Sequence, residues 1–165
     1  MVNGILEYAK SGTKSVNPEI TDVGSLINDI VDHLGIQHDQ QVEIQEGLPV
    51  ILTQRLLLEQ VLSNLLSNAH KYNSNPEPKI QITSRELEKE FEFAVSDNGP
   101  GIPRESQHKV FRIFQTLQAR DTYESTGIGL SIVKKIIEEK GCRIELDSTP
   151  GEGCSLRFTW PKLMI

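Results

Sequence analysis

The stretch SDNGPGIP, residues 96–103, sets an acid, Asp97, just ahead of the consecutive Gly99, Pro100 and Gly101. The residues leading into it, EFEFAVSD (90–97), alternate as a strand does. Phe91, Phe93 and Val95 share one face, and the other face ends near Asp97. A strand that runs straight into this sequence leaves a carboxylate at its end, against backbone that carries little side chain. Glycine there permits positive φ or the close approach of a ligand. Asp-Asn-Gly is also an ordinary turn sequence. The stretch by itself reads equally as a turn or as one wall of a pocket, and the rest of the chain has to decide.

The segments around it alternate between helical and strand periods. KIQITSREL (79–87) is a second alternating strand, separated from the first by the charged stretch Glu86 to Glu90. RLLLEQVLSNLLSNAHKY (55–72) is a long helix, and SLINDIVDHL (25–34) a second one, apolar at Leu26, Ile27, Ile30, Val31 and Leu34, with Ser25 or Asp22 as its cap. QVEIQ (41–45) and VILT (50–53) are strand pieces around Gly47 and Pro49. ESQHKVFRIFQ (105–115) reads as a short helix and TLQARDTYES (116–125) as a loop. TGIGLSIVKKIIEEKG (126–141) is a helix opened by glycines, with Gly141 at the C′ position. CRIELDS (142–148) and CSLRFTW (154–160) are strands joined across the hairpin signal TPGEG. MVNGILEYAK (1–10) reads as a helix or helix end, broken by Gly12 and Pro18. Early alternation of helix and strand with a closing hairpin predicts an α/β domain with a mixed sheet.

Composition narrows the function classes. A chain of 165 residues suits one domain with a sizeable core. Its net charge of −6 argues against a general nucleic-acid binder, which carries a basic face. Cys142 and Cys154 are the only cysteines, too few to close a metal site or build a disulfide framework, and are read as reduced, half-buried strand residues. No apolar run reaches the roughly 18–20 residues that cross a bilayer. The N-terminus lacks the basic and apolar regions of a secretion signal. The expectation is a cytoplasmic domain, cut from a longer protein.

Two further segments can join Asp97 in a site. On the long helix, Leu57, Leu58, Val61, Leu62, Leu65, Leu66 and Ala69 make a broad apolar face, while Asn64, Asn68, Lys71 and Tyr72 share another side. Asn is a mediocre helix former, because its amide competes with the backbone. Two of them in mid-helix fit either a solvated face or a polar floor. In the second case an Asn oxygen is a hard ligand suited to Mg²⁺, which takes few protein ligands alongside phosphates and water. Lys71 could then neutralise phosphate, and Tyr72 could stack on a flat ring. Gly127 and Gly129 precede the helix carrying Leu130, Ile132, Val133, Ile136 and Ile137, and free amides at a helix N-terminus attract anions. This Gly-x-Gly is neither the dinucleotide fingerprint nor a Walker loop.

Taken together, NLLSNAHKY (64–72), DNGPGI (97–102), VFRIF (110–114) and TGIGL (126–130) closely resemble the N, G1, F and G2 boxes of sensor histidine kinases, in the same order and with matching spacing. The ATP-binding domain of those kinases is of the gyrase, Hsp90 and MutL type. The resemblance covers roughly residues 18–161, and 118–136 further resembles the phytochrome-related branch. It implies a two-layer sandwich of a mixed β-sheet and about three helices, the Bergerat-type ATP-binding fold. It also implies ATP and Mg²⁺ as ligands. By the same resemblance Asn68 coordinates Mg²⁺, Asn64 supports that site, Lys71 reaches phosphate oxygens and Tyr72 packs by the adenine. Asp97 accepts a hydrogen bond from the adenine amino group, Gly99 and Gly101 make room, and Ile102 belongs to the same box. Phe111 and Phe114 anchor the start of a lid over about 115–125, in which Arg120 is the phosphate-contact candidate. Gly127, Gly129 and Leu130 form the phosphate-side turn.

The histidines complete the expectation. His70 departs from the commoner apolar residue of its box, and its neighbours Leu66 and Ala69 suggest a partly packed ring. None of His33, His38, His70 and His108 sits in the acceptor pattern of such kinases, a His followed by an acid, an apolar and a basic residue, then Pro. Residues 1–15 resemble the end of the dimerisation-domain helix and its linker, and 16–165 the catalytic domain. The expected partners are that dimerisation domain, which carries the acceptor histidine, and a downstream response regulator; this part alone is expected to be monomeric, with no general base of its own. A regulatory module of the same fold that transfers no phosphate is the alternative. A hydrolase of the gyrase or Hsp90 type carries a water-activating Glu where this helix has Asn64, and an amide takes no proton. VFRIF separates the chain from the smaller anti-sigma kinases.

Overall fold

The computed structural model describes residues 17–36, 41–111 and 129–162. Strand β1 (Glu19–Asp22) runs directly into helix α1 (Val23–Leu34). Asp22 caps that helix, its carboxylate accepting the Ser25 amide at 3.1 Å, and Gly35 ends it at φ 73°. Strands β2 (Val42–Ile44) and β3 (Val50–Thr53) follow, then helix α2 (Arg55–Lys71), β4 (Ile80–Glu86) and β5 (Glu90–Asp97). A 3₁₀ helix covers Arg104–Lys109. Helix α3 (Gly129–Glu139) and the hairpin of β6 (Ile144–Thr149) and β7 (Gly153–Pro161) complete the described chain.

Five strands form the main sheet in the order β2-β4-β5-β7-β6, while β1 and β3 pair separately. β2 lies parallel to β4 and the remaining pairs are antiparallel. The one parallel pair has α2 in its connection, as a parallel crossover requires. The sheet's alternation explains the layering. Ile80, Ile82, Phe93, Val95, Leu156, Phe158 and Trp160 are buried with Leu58, Leu62, Leu65 and Leu66 of α2 and the apolar faces of α1 and α3. The opposite face carries charges such as the Arg85–Glu92 pair at 3.2 Å and Arg157–Glu145 at 3.5 Å. One face is thus covered by helices and the other is polar, a two-layer α/β sandwich. Trp160 joins the two sheets, its indole N–H donating to the buried Thr53 hydroxyl at 2.7 Å. No helix among the described residues is long and apolar enough to cross a membrane.

Several sequence expectations need correction. The short helix expected from 105 is a 3₁₀ helix over Arg104–Lys109, with Ser106 N–H donating to Pro103 O at 2.9 Å, because Pro103 starts it and six residues suit i→i+3 bonds; 110 and 111 are turn, and 112–115 lie outside the described residues. Alternation carries Asp97 onto the face of Phe93 and Val95, the helix side, and not the opposite one. His70 is exposed, being one residue past the buried Ala69. Cys142 precedes β6 and only Cys154 lies in a strand. Both are free thiols: burial pushes Cys142 up to about 11 and Cys154 up to about 12. Strand β1 has no counterpart in the sequence expectations, since a single buried residue, Thr21, gives no period. The readings of residues 1–10 and 116–125 lie outside the described residues.

Candidate functional site

Helix α2 is amphipathic with a polar edge, and that edge organises the site. Leu65, Leu66 and Ala69 are buried, whereas Asn64 and Asn68 beside them are half-buried. The Asn64 side-chain amide donates to Gln60 O at 2.8 Å, one turn back, which fixes the direction of its oxygen. Tyr72 caps the helix, its N–H donating to Asn68 O at 3.1 Å. Eight residues at 1.5 Å rise separate Asn64 from Tyr72 by about 12 Å, a span suited to a nucleoside triphosphate laid along the edge.

Different glycines meet the two ends of that edge. At the Asn64 end, Gly129 opens α3, and a Cβ placed on it would lie 2.9 Å from Asn64 Oδ1. The amides and dipole of the α3 N-terminus therefore converge on the α2 amide. At the Tyr72 end, a Cβ on the buried Gly99 would lie 3.0 Å from Asp97 Oδ1 and 3.5 Å from Tyr72 O. A methyl there would crowd the Asp97 carboxylate, whereas its distance to Tyr72 O is an ordinary contact. The Asp97 carboxylate accepts the Gly99 N–H at 2.9 Å. Burial pushes its pKa up, against the pull of backbone N–H donors from Gly99 and Cys154. A carboxylate has about four acceptor positions, so Asp97 keeps acceptor capacity beyond these amide donors.

The other sequence candidates fall as follows. Lys71 is exposed at the last residue of α2. Gly101 takes φ 73°, and a Cβ there would lie 3.0 Å from the Thr149 carbonyl carbon. Ile102 donates its N–H to Ser148 Oγ at 2.8 Å. Phe111 follows the 3₁₀ helix and packs at the core margin, with Lys134 Nζ 5.7 Å from its ring centroid. Leu130 follows Gly129 in the first turn of α3 and packs against the same core. Phe114, Arg120 and Gly127 lie outside the described residues. Among the described residues no group of three or more His, Cys, Asp or Glu side chains could hold a metal. Asn68 carries one hard amide oxygen of the kind Mg²⁺ accepts alongside phosphates and water.

Sequence reasoning missed the residues that brace the Asp97 loop. Asn98 Oδ1 accepts from Asn73 Nδ2 at 2.9 Å and from Lys79 N–H at 2.8 Å, while its own amide donates to Glu77 O at 3.0 Å. The Asn75 amide donates to Asn98 O at 3.1 Å. The loop after α2 is thereby stitched to the end of β5. Its signal was the run Asn73-Ser74-Asn75-Pro76, a cluster of residues that hydrogen-bond their own backbone. Ser148 and Gly153 on the β6–β7 hairpin brace the other side, where the sequence announced only a turn.

Comparisons with known proteins bear on the family and the fold. Residues 53–164 match the family of histidine kinase-, DNA gyrase B- and HSP90-like ATPases. The chain is 37% identical over 163 residues to phytochrome-like protein Cph1 of Synechocystis sp., covering 98% of this chain and 22% of that protein. It is 34% identical over 151 residues to the adaptive-response sensory kinase SasA of Parasynechococcus marenigrum, covering 88% of this chain and 39% of that one. The chain thus spans about a fifth to two fifths of the length of these relatives. The catalytic domain of histidine kinase ThkA, in a nucleotide-free form, superposes with a TM-score of 0.70 at 28% identity, covering 89% of this chain and 97% of that one. Full-length ShkA in complex with AMPPNP gives a TM-score of 0.79 at 24% identity, a likeness of fold, over 97% of this chain and 35% of that one. The chain belongs to the histidine kinase-, DNA gyrase B- and HSP90-like ATPase family, and its relatives within it are histidine kinases and phytochrome-like proteins.

Proposed function

We propose that this chain is the catalytic domain of a two-component sensor histidine kinase, which binds Mg-ATP and transfers its γ-phosphoryl group to a histidine on a separate dimerisation domain. One observation carries the reading: a single polar helix edge is met at one end by a half-buried carboxylate and at the other by a glycine-opened helix. Asp97 reads the adenine amino group, and Tyr72 flanks the base. Gly99 keeps the wall beside it free of side chain. At the far end the α3 amides at Gly129 and Leu130 draw the phosphates, and Lys71, on the last turn of α2 beside Tyr72, reaches along the edge to phosphate oxygens. Asn68, supported by Asn64, holds the magnesium ion, which would supply charge neutralisation at the phosphate oxygens. Phe111 and Phe114 anchor the start of a lid over about 115–125 in which Arg120 contacts phosphate, and Gly127 belongs with Gly129 and Leu130 to the phosphate-side turn.

The domain's part in transfer is positioning and charge neutralisation, not covalent chemistry. An acceptor imidazole nitrogen bonds the γ-phosphorus as the bond to the bridging oxygen breaks and ADP leaves. The proton of the imidazole passes to a base on the acceptor domain, because Asn64 stands where a hydrolase would hold a carboxylate. Residues 1–15 belong to the end of that dimerisation domain's helix and its linker, and a response regulator takes the phosphoryl group onward.

The test is to mix the 165-residue chain with Mg-ATP labelled at the γ position and a purified dimerisation domain from the intact kinase. Label stable to base and labile to acid on a histidine of that domain is the expected result, with little label on this chain alone. Nucleotide binding without transfer to that acceptor would instead assign the chain as a regulatory module.

A further inference from the structure

The β6–β7 hairpin makes a set of contacts with the 97–102 loop that the fold alone does not require. Ser148 Oγ accepts the Ile102 N–H at 2.8 Å and donates to Gly153 O at 2.9 Å. The Gln107 side-chain amide donates to Ile102 O at 3.0 Å and to Ser148 O at 3.1 Å. Gly151 N–H donates to Pro100 O at 2.7 Å. Two glycines let the backbones close this far. A Cβ on Gly101 would lie 3.1 Å from Gly153 O, and one on Gly153, at φ 117°, would lie 3.1 Å from Asn98 Cα. Pro100, Gly101 and Ile102 are therefore clamped to the hairpin immediately after the Asp97–Gly99 turn.

We propose that Ser148 is a positioning residue for purine selection, its hydroxyl fixing the loop that aims the Asp97 carboxylate. This rests on the reading of Asp97 as the adenine-contacting group. A hydroxyl is the smallest side-chain group that accepts from one backbone strand and donates to another at once. Alanine would take from the Ile102 amide its hydroxyl acceptor and from the Gly153 carbonyl its hydroxyl donor, and the loop would gain freedom at its C-terminal end. The phosphate end of the site, at Asn64 and Gly129, lies at the other end of the helix edge and keeps its grip. Losing Ser148 therefore costs discrimination at the base more than it costs affinity for the phosphates. The distinguishing ligand is inosine triphosphate, which differs from ATP in carrying an oxo group where adenine carries the amino group that a carboxylate reads.

Dissociation constants for Mg-ATP and Mg-ITP would be measured on the 165-residue chain by calorimetry. Ser148→Ala is expected to weaken ATP roughly three- to tenfold, the equivalent of one lost hydrogen bond, while changing ITP less, so the ATP:ITP preference falls. Ser148→Thr, which keeps the hydroxyl, should restore the preference. Gln107→Ala should lower it in the same direction, and serves if Ser148→Ala does not fold. An unchanged preference in both alanine chains, or equal weakening of both nucleotides, overturns the proposal. Asp97→Ala is the separate control: if it leaves the ATP:ITP preference intact, the adenine-reading assignment itself has failed, whatever Ser148 does.

Discussion

Asp97 ends β5 with its carboxylate turned toward the helices and held by the Gly99 amide, and burial is the largest influence on its titration. Burial makes ionisation harder in the folded chain than in the unfolded one, whose carboxyl titrates near 3.8. The charged form of an acid shifted upward penalises folding above the raised folded value. That penalty disappears as pH falls through the raised value toward 3.8. Asp97→Asn keeps an oxygen for the Gly99 N–H and removes the charge. The unliganded Asp97→Asn chain should therefore melt at or above wild type at neutral pH, and the difference should shrink on acidification. ATP binding should be lost at the same time, since the amide nitrogen repels the adenine amino group in one of the two amide orientations and the charge-assisted bond is absent in both. Thermal unfolding across the acid range, paired with nucleotide titration, checks both halves. A chain that is destabilised at neutral pH would mean that the carboxylate is structural and not held ready for a ligand.

At the scale of elements, the two helices that bound the site differ in how openly the sequence declared them. α2 was legible end to end, because its apolar residues recur at helical spacing and its asparagines stand out against them. The glycine-opened start of α3 was legible too. What the periods could not convey is which surfaces meet, because pairing depends on sheet order and crossovers distant in sequence. The approach of Gly129 to Asn64 spans 65 residues of chain (129 − 64) and had no local signal. The 3₁₀ form of 104–109 and the short β1 were hidden for a different reason, since elements of six and four residues carry too few repeats to establish a period. The α2–α3 approach makes a direct prediction. Gly129→Ala sets a methyl 2.9 Å from Asn64 Oδ1, too close to stay, but the obstacle is the end of a side chain that can turn away by giving up its bond to Gln60. The helix-propensity gain of alanine, up to about 1 kcal/mol in an interior and less at a first turn, offsets part of that cost. Stability should change by less than about 1 kcal/mol in denaturant melts, while ATP affinity falls because Asn64 has moved. Equal loss of stability and binding would instead mark Gly129 as a packing residue.

Across the whole molecule, the question is whether the small β1–β3 sheet belongs to the same cooperative unit as the main one. Its outer face carries Ile20, Val50 and Leu52, exposed at 77%, 60% and 37%, so its attachment depends on the inner face alone. There Thr21, Ile51 and Thr53 are buried, and the bond from the Trp160 indole to the Thr53 hydroxyl crosses directly to β7. Trp160 is itself fully buried, edge-on to Phe158 at 6.3 Å, with Lys140 Nζ 4.9 Å above its ring centroid. The same β7 that ends near this tryptophan begins at Gly153, against the Asp97 loop, so one strand links the attachment of the small sheet to the nucleotide wall. Trp160→Phe keeps an aromatic body but strips the indole donor, leaving Thr53 buried without that partner. The expected cost is about 1–3 kcal/mol for the stranded hydroxyl, with a further contribution from the smaller ring. Thr53→Val added to Trp160→Phe removes the stranded group and should return part of the loss, because replacing both partners by apolar groups of similar shape is close to neutral. Urea melts followed by far-ultraviolet circular dichroism and by labels on β1 should coincide in wild type. In Trp160→Phe the β1 label should melt ahead of the main sheet, and in the double variant it should rejoin it, which would make the hydroxyl–indole bond the link that couples the sheets. If Thr53→Val brings no recovery, the coupling resides in ring packing instead.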